Sequence, residues 1–135
     1  MGTRSLTVMQ TSWEDHKEIA VLYRQFDGYP SGHGAELKEF LSGFKITNGL
    51  SLAGSPAKTA NGGDCLAAQL VAHFKGNVPG HFYLYPAGTR DVGEEYIYTV
   101  IPTVGEEVRL KAEGVYPKST IYDGPVSGFD TEIDE

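Results

Sequence analysis

The sequence predicts an α+β fold, in which two helices pack on one face of an antiparallel sheet of about five strands, in the order ββααβββ. Two segments near the start of the chain and three near its end are rich in the β-branched and aromatic residues that favour strands. Two segments between them repeat apolar residues with the period of a helix. Because strands and helices are segregated along the chain, both helices are expected on the same sheet face.

The first two strands are predicted at residues 5–10 and 19–26, where apolar side chains alternate or run together between polar, turn-forming residues. Their short connection favours an antiparallel hairpin. Trp13 and His16 fall near the tip of this hairpin. We expect Trp13 to fold back over the sheet as a packing residue.

The first helix is predicted at residues 35–41, after the turn Asp27-Gly28-Tyr29-Pro30. Gly28 is expected to take the positive φ angle that other residues avoid. Ser31 is expected to cap the helix, because its hydroxyl suits an N-cap position.

The second helix is predicted at residues 65–75, with Asp64 as its N-cap. Residues 45–63 lie between the two helices and hold few large apolar side chains. They are therefore expected to form a long loop, with occasional apolar anchors.

Three later strands are predicted at residues 82–85, 95–101 and 107–113, with a short edge strand at 119–122. Alternation along the third and fourth strands divides their side chains between the two faces of the sheet. The face beneath the helices is assigned to Phe82, Leu84, Ile97 and Ile101. The open face is assigned to four tyrosines, namely Tyr83, Tyr85, Tyr96 and Tyr98.

Two interpretations of this tyrosine-rich face remain open. Tyrosine is enriched in protein interfaces, so the face is a candidate surface for a partner or for a homo-oligomer. Tyrosines on neighbouring strands also form cross-strand pairs that only stabilise the sheet.

Length and charge restrict the classes of function. The 135 residues suit one domain with a single core. We predict a domain at residues 1–129 and a solvated acidic tail at 130–135. The net charge of −7 argues against direct nucleic-acid binding, because that affinity comes largely from Lys and Arg.

The sequence indicates a cytoplasmic location without a membrane partner. The first residues lack the apolar run of a signal peptide, and no segment approaches the ~20 apolar residues of a membrane span. The chain has one cysteine, which excludes an intrachain disulfide.

A cluster of polar and aromatic residues lies at the predicted strand-to-helix corner. Arg24, Asp27, Tyr29 and His33 fall within ten residues of one another. Free N–H groups at a helix start would bind an anion or a nucleotide phosphate there, and His33 would act as an acid or base. The alternative is that turn geometry alone explains the Gly, Asp and Pro.

Arg90 lies at the tip of the connection between the third and fourth predicted strands. If that connection faces the corner, Arg90 would join Arg24 and His33 in a shared cleft. This hypothesis depends only on both clusters lying at strand ends.

No catalytic set is fixed by spacing. The four histidines show no HExxH pattern, and the chain lacks both GxSxG and the phosphate-binding P-loop. We therefore predict no catalytic residues, no metal and no cofactor, and an enzyme is the less favoured interpretation.

The segment YRQFDGYPSGHGAELKEFL resembles a group of small uncharacterised bacterial and phage proteins with the pattern YRxxDGYPxGHGxxLxxFL. The segments CLAAQLVAHFK and FYLYPAGTRDVGEEYIYTV are also similar to that group and follow in the same order. The resemblance covers about residues 22–100. It implies a cytoplasmic protein carried by mobile elements and supplies no catalytic residues.

Together these features predict a non-enzymatic binding protein, encoded by a phage or prophage. It would bind a host protein or sequester a small anionic ligand, as inhibitors of host defence do, and it would form a homo-oligomer. The alternative is a small nucleotide- or phosphate-binding enzyme that uses the corner of Arg24 and His33.

Overall fold

The computed structural model describes residues 2–13, 15–49 and 57–132. Its elements are β1 (Ser5–Gln10), β2 (Glu18–Arg24), α1 (Ala35–Leu41), β3 (Lys45–Thr47), β4 (Thr59–Asn61), α2 (Gly62–Lys75), β5 (Phe82–Pro86), β6 (Tyr96–Ile101), β7 (Arg109–Val115) and β8 (Lys118–Pro125). A π-helical turn, Pro30–Gly34, leads directly into α1, and a 3-10 turn, Val126–Gly128, follows β8.

The predicted α+β class is confirmed, but the sheet is larger than expected and is not purely antiparallel. Six strands pair in the order β5-β2-β1-β6-β7-β8. The first hairpin is antiparallel, as predicted, whereas β6 lies parallel to β1. Since β5 pairs with the outer side of β2, the chain must cross two strands before β6 can join β1.

The predicted long loop at residues 45–63 contains two short strands. β3 and β4 pair in parallel, with Ile46 beside the buried Ala60. Residues 50–56 of that predicted loop lie outside the described residues. α2 begins at Gly62, so Asp64 lies in its first turn instead of at the N-cap position.

The main hydrophobic core lies between both helices and one face of the sheet, which we call the helix face. Leu37 and Leu41 of α1 are buried there, as are Leu66 and Leu70 of α2. Burying one such leucine stabilises a fold by about 1.5–3 kcal/mol. The core extends past β8 to Phe129, which is also fully buried.

The opposite face, which we call the open face, is partly covered by the connection between β5 and β6. Leu6, Val8, Val21 and Tyr23 form a second buried cluster there. Val92 of the connection packs against this cluster. A partner therefore cannot contact the covered part of this face.

The assignment of β6 to the two faces was wrong. Tyr96 and Tyr98 lie on the helix face and are buried, whereas Ile97 and Ile101 lie on the open face. Alternation separates the two sets but does not say which set is buried. The hydroxyl of Tyr98 donates to the carbonyl oxygen of Gly28 at 2.7 Å, so its burial leaves no unpaired polar group.

The assignment of β5 was correct for three residues and incomplete for one. Phe82 is buried under the helices, and Tyr83 and Tyr85 lie on the open face. Leu84 shares the helix face with Phe82 but is 59% exposed. Because β5 is the last strand of the sheet, no described strand covers the outer side of Leu84.

Candidate functional site

The predicted strand-to-helix corner, residues 24–36, is a tightly closed turn. Asp27, and not Gly28, takes the left-handed φ of +61°. The N–H of Gly28 donates to the carbonyl oxygen of Thr3 at 2.8 Å. A Cβ on Gly28 would lie 2.7 Å from the Cβ of Ser5, so glycine is required for close packing.

The helix start in this corner is not free to bind an anion. The N–H groups of Gly32 and Gly34 donate to the carbonyl oxygen of Tyr29, at 2.9 and 3.4 Å. The N–H of His33 donates to the carbonyl oxygen of Asp27 at 2.8 Å. These donors are used within the turn. Ser31 lies inside the π-helical turn, and the N-cap position of α1 is taken by Gly34 instead of Ser31.

Arg24 is buried, at 4% exposure, with its guanidinium held on several sides. Its Nε donates to the carbonyl oxygen of Phe26 at 2.6 Å. Its Nη1 and Nη2 donate to the two carboxylate oxygens of Glu36, at 2.8 and 3.3 Å. The guanidinium also lies 5.1 Å from the centre of the Phe82 ring, a cation–π distance.

His33 completes this buried network. Its Nδ1 lies 2.9 Å from Nη1 of Arg24, and its Nε2 lies 2.6 Å from Oγ1 of Thr7. Because an arginine can only donate, Nδ1 must accept, and the proton is on Nε2. Nε2–H then donates to Thr7, which joins β1 to the corner.

The environment of His33 keeps its ring neutral. Burial and the neighbouring guanidinium of Arg24 hold its pKa well below the ordinary value of 6.5. The side chain has 0% exposure and lies against the rings of Phe74 and Tyr98, at 5.0 and 5.4 Å. A substrate cannot reach this ring, so the corner is organised for stability and not for acid–base chemistry.

Because the pKa of His33 is lower in the folded chain than in the unfolded chain, stability should fall in acid. The contribution of neutral His33 to the free energy of unfolding is complete above about pH 6.5. As the pH falls further, the free energy of unfolding decreases by up to about 1.4 kcal/mol per pH unit. Urea unfolding of the wild type between pH 7.5 and 5 should show this loss. His33→Gln should show a flatter profile, and an unchanged slope in that variant would contradict the assignment.

The other predicted corner residues are near the network but outside it. The hydroxyl of Tyr29 donates to Oδ1 of Asp27 at 3.1 Å, at the surface. Arg90 does not join the corner, which corrects the shared-cleft hypothesis. It pairs with Glu18 at 3.0 Å, at the start of β2, whereas Arg24 lies at the end of that strand.

Of the four tyrosines in the predicted surface, only Tyr83 and Tyr85, on the edge strand β5, lie on the open face. The rings of Tyr83 and Tyr85 lie 5.9 and 5.6 Å from the ring of Tyr23, across β5 and β2. Tyr83 is exposed and Tyr85 is half-buried. Tyr96 and Tyr98 are buried on the helix face and do not belong to the open face.

Sequence reasoning missed two residues that matter here and placed a third, Trp13, wrongly. Thr7 and Glu36 belong to the buried network of Arg24 and His33. Thr7 was detectable as a polar residue inside an apolar strand, and Glu36 as the residue one helical turn after His33. Trp13 is 62% exposed and does not fold back over the sheet.

Trp13 stands at the rim of an open cleft of about 270 Å³, which we call the Trp13 cleft. The cleft lies between the β1–β2 hairpin tip, the start of α2, the ends of β3 and β4, and Val104 in the β6–β7 connection. The Oγ of Ser12 accepts the N–H of Gly63 at 3.0 Å. The N–H of Gly105 donates to the carbonyl oxygen of Ile46 at 3.0 Å, so both walls are fixed.

Among the described residues, no group of three or more His, Cys, Asp and Glu side chains is arranged to hold a metal ion. None of the helices in the described ranges combines the length and apolar character needed to cross a membrane. Comparison with protein-family models, with curated proteins and with solved structures finds no match to this chain.

Proposed function

We propose that the protein is a non-enzymatic binding protein that recognises a partner protein through the Trp13 cleft. The observation that carries the proposal is the exposure of Trp13, at 62%, beside a cleft with fixed walls. Tryptophan is among the residues that contribute most to protein interfaces when it is buried by a partner. Val104 is also exposed on the rim and adds apolar surface to the same site.

The geometry of the corner disfavours the alternative of a phosphate-binding enzyme. Four N–H donations of Arg24 already have acceptors within the chain, and His33 is fully buried. An incoming phosphate would have to displace the carboxylate of Glu36 and open the core beside it. The exposed cleft needs no such rearrangement.

The exposed position of Trp13 favours a protein over a small ligand. The cleft volume of about 270 Å³ is near the lower limit of the ~300–1,000 Å³ typical of sites that enclose a small molecule. Trp13 lies at the rim, where it would lie across a partner's surface while one partner side chain enters the cleft. Asp64 on the wall adds a negative charge that favours a basic or hydrogen-bonding group.

The resemblance described above supports a narrower form of the proposal. If the chain is encoded by a phage or prophage, the partner is a host protein and binding inhibits a defence component. That part rests on the resemblance alone, and the cleft does not depend on it.

The proposal is tested by placing a photo-crosslinking amino acid at Val104 and irradiating the protein in lysate of its host. We expect a specific crosslinked protein at this position and none with the same amino acid at Tyr116, which is more exposed but lies in the distant β7–β8 turn. Adding Trp13→Ala should reduce the crosslinked product at least about tenfold, as loss of a central aromatic anchor does.

The purified partner then gives a direct measurement. The chain has one tryptophan, so its fluorescence reports the cleft alone. Binding should shift the emission of Trp13 towards shorter wavelength as the ring leaves water. Equal affinity for the wild type and Trp13→Ala, in a calorimetric titration with Tyr116→Ala as the matched control, would exclude the cleft as the binding site.

A further inference from the structure

The pairing of β5 with β2 determines which backbone groups of β5 point towards the free edge of the sheet. The N–H of Gln25 donates to the carbonyl oxygen of His81 at 2.8 Å, so this pair is bonded across β2 and β5. Bonded and non-bonded pairs alternate in an antiparallel ladder. Phe82, Leu84 and Pro86 therefore direct their backbone groups away from β2, towards the free edge.

At both ends of this edge, the outward backbone groups are either bonded within the same chain or absent. At Phe82, the N–H donates to Gly80 at 2.7 Å, and the carbonyl oxygen accepts Nζ of Lys75 at 2.9 Å. At Pro86 there is no N–H, and the carbonyl oxygen accepts the N–H of Thr89 at 3.2 Å. Such closures protect an edge strand from indiscriminate pairing.

Leu84, at the centre of β5, is different. No described residue pairs with its outward N–H and carbonyl groups, and its side chain is 59% exposed. An open, apolar groove of about 390 Å³ runs beside it, between α2 and the sheet. Ala68 and Val71 of α2 line that groove.

We propose that two copies of this chain pair through β5, antiparallel and two-fold symmetric, with Leu84 opposite Leu84 of the second copy. Each Leu84 N–H donates to the carbonyl oxygen of the other, which forms one bonded pair at the centre. The two leucine side chains then meet on the helix face, beside the apolar groove. Tyr83 of each copy lies opposite Tyr85 of the other on the open face.

The closed ends of the edge favour a second copy over another extended peptide. In this register Phe82 lies opposite Pro86 of the second copy. Pro86 brings no N–H that needs an acceptor, and the carbonyl oxygen of Phe82 is already bonded to Lys75. An ordinary strand would place a carbonyl oxygen opposite Pro86, which has no N–H to donate, and an unpaired buried group costs about 1–3 kcal/mol.

The tyrosines support the same arrangement. Tyr83 and Tyr85 already lie within 6 Å, centre to centre, of the ring of Tyr23 in one chain. The pairing would join the two sets into one row of cross-strand aromatic contacts, which stabilise antiparallel sheets. The contact is short, since β5 has five residues, so we expect a dimer that dissociates on dilution.

Sedimentation velocity from about 10 µM to about 1 mM should show a concentration-dependent dimer of the wild type. Leu84→Pro removes the central N–H where β2 does not need it, and should raise the dissociation constant at least about tenfold. Leu84→Ala keeps the N–H and is the matched control, with a smaller increase. A wild type that stays monomeric up to about 1 mM, or equal dissociation constants for the proline and alanine variants, would overturn the proposal.

Disulfide trapping tests the register independently of those variants. Tyr83→Cys and Tyr85→Cys are prepared separately in a Cys65→Ser background and then mixed under oxidation. Because positions 83 and 85 face each other across a non-bonded pair, the mixture should form a covalent dimer and each variant alone should not. Equal crosslinking by either variant alone would overturn the register. Loss of partner capture at the Trp13 cleft would leave this result unchanged, because neither Tyr83 nor Tyr85 lines that cleft.

Discussion

Replacing His33 with alanine should lower the free energy of unfolding by about 2–4 kcal/mol. The substitution removes a fully buried ring from between Phe74 and Tyr98 and leaves a cavity. It also removes the acceptor for Nη1 of Arg24 and the donor to Thr7, so two buried polar groups lose a partner. Urea unfolding at pH 7.5, where His33 is neutral, measures the loss.

Two variants separate the packing contribution from the polar one. His33→Phe keeps an aromatic ring in the site, somewhat larger than imidazole, but removes both nitrogens, and should cost about 1–3 kcal/mol. His73→Ala is the matched control, because His73 is exposed and its ring contacts only the surface-side rings of Phe40, at 4.5 Å, and Phe74, at 5.0 Å, among the described aromatic residues. Its cost should be about 1 kcal/mol or less. A His33→Phe protein as stable as the wild type would show that the network of Arg24, His33 and Thr7 does not stabilise the fold.

The sequence was sufficient to predict that Arg24 and His33 lie together, because a strand followed by a tight turn and a helix brings them within reach. It did not predict that both are buried. Burial depends on Thr7 in β1 and on the aromatic rings of α2, β5 and β6, which are distant in sequence. A polar cluster at a turn has the same local pattern whether or not other elements later cover it.

The same distinction between local and distant information explains the errors in the predicted fold. The apolar period predicted α1 and α2 and the first hairpin, since each is determined within a short segment. The parallel placement of β6 depends on where the chain crosses after β5, and the burial of Tyr98 depends on the carbonyl of Gly28. Neither contact leaves a local signal in the alternation of β6.

Replacing Phe129 with alanine should cost about 3–5 kcal/mol, the largest effect expected for a single side chain outside the buried network. Phe129 is fully buried and its ring stacks on Tyr122 at 5.3 Å. A Cβ at Gly34 would lie 3.1 Å from its Cε2, so the glycine makes room for the ring. Its carbonyl oxygen accepts Nζ of Lys38 at 2.7 Å, which ties the end of the domain to α1.

Phe26→Ala is the matched control, since Phe26 is half-exposed beside His81 and should lose about 1 kcal/mol or less. The comparison of these two variants also tests the predicted domain boundary at residue 129. That boundary was predicted from the acidic residues that follow it, and not from the packing of Phe129. If unfolding is cooperative through Phe129, its loss should lower the urea midpoint with an unchanged denaturant slope. A loss as small as that of Phe26→Ala would place the segment after β8 outside the cooperative unit, and the boundary would then move back towards Pro125.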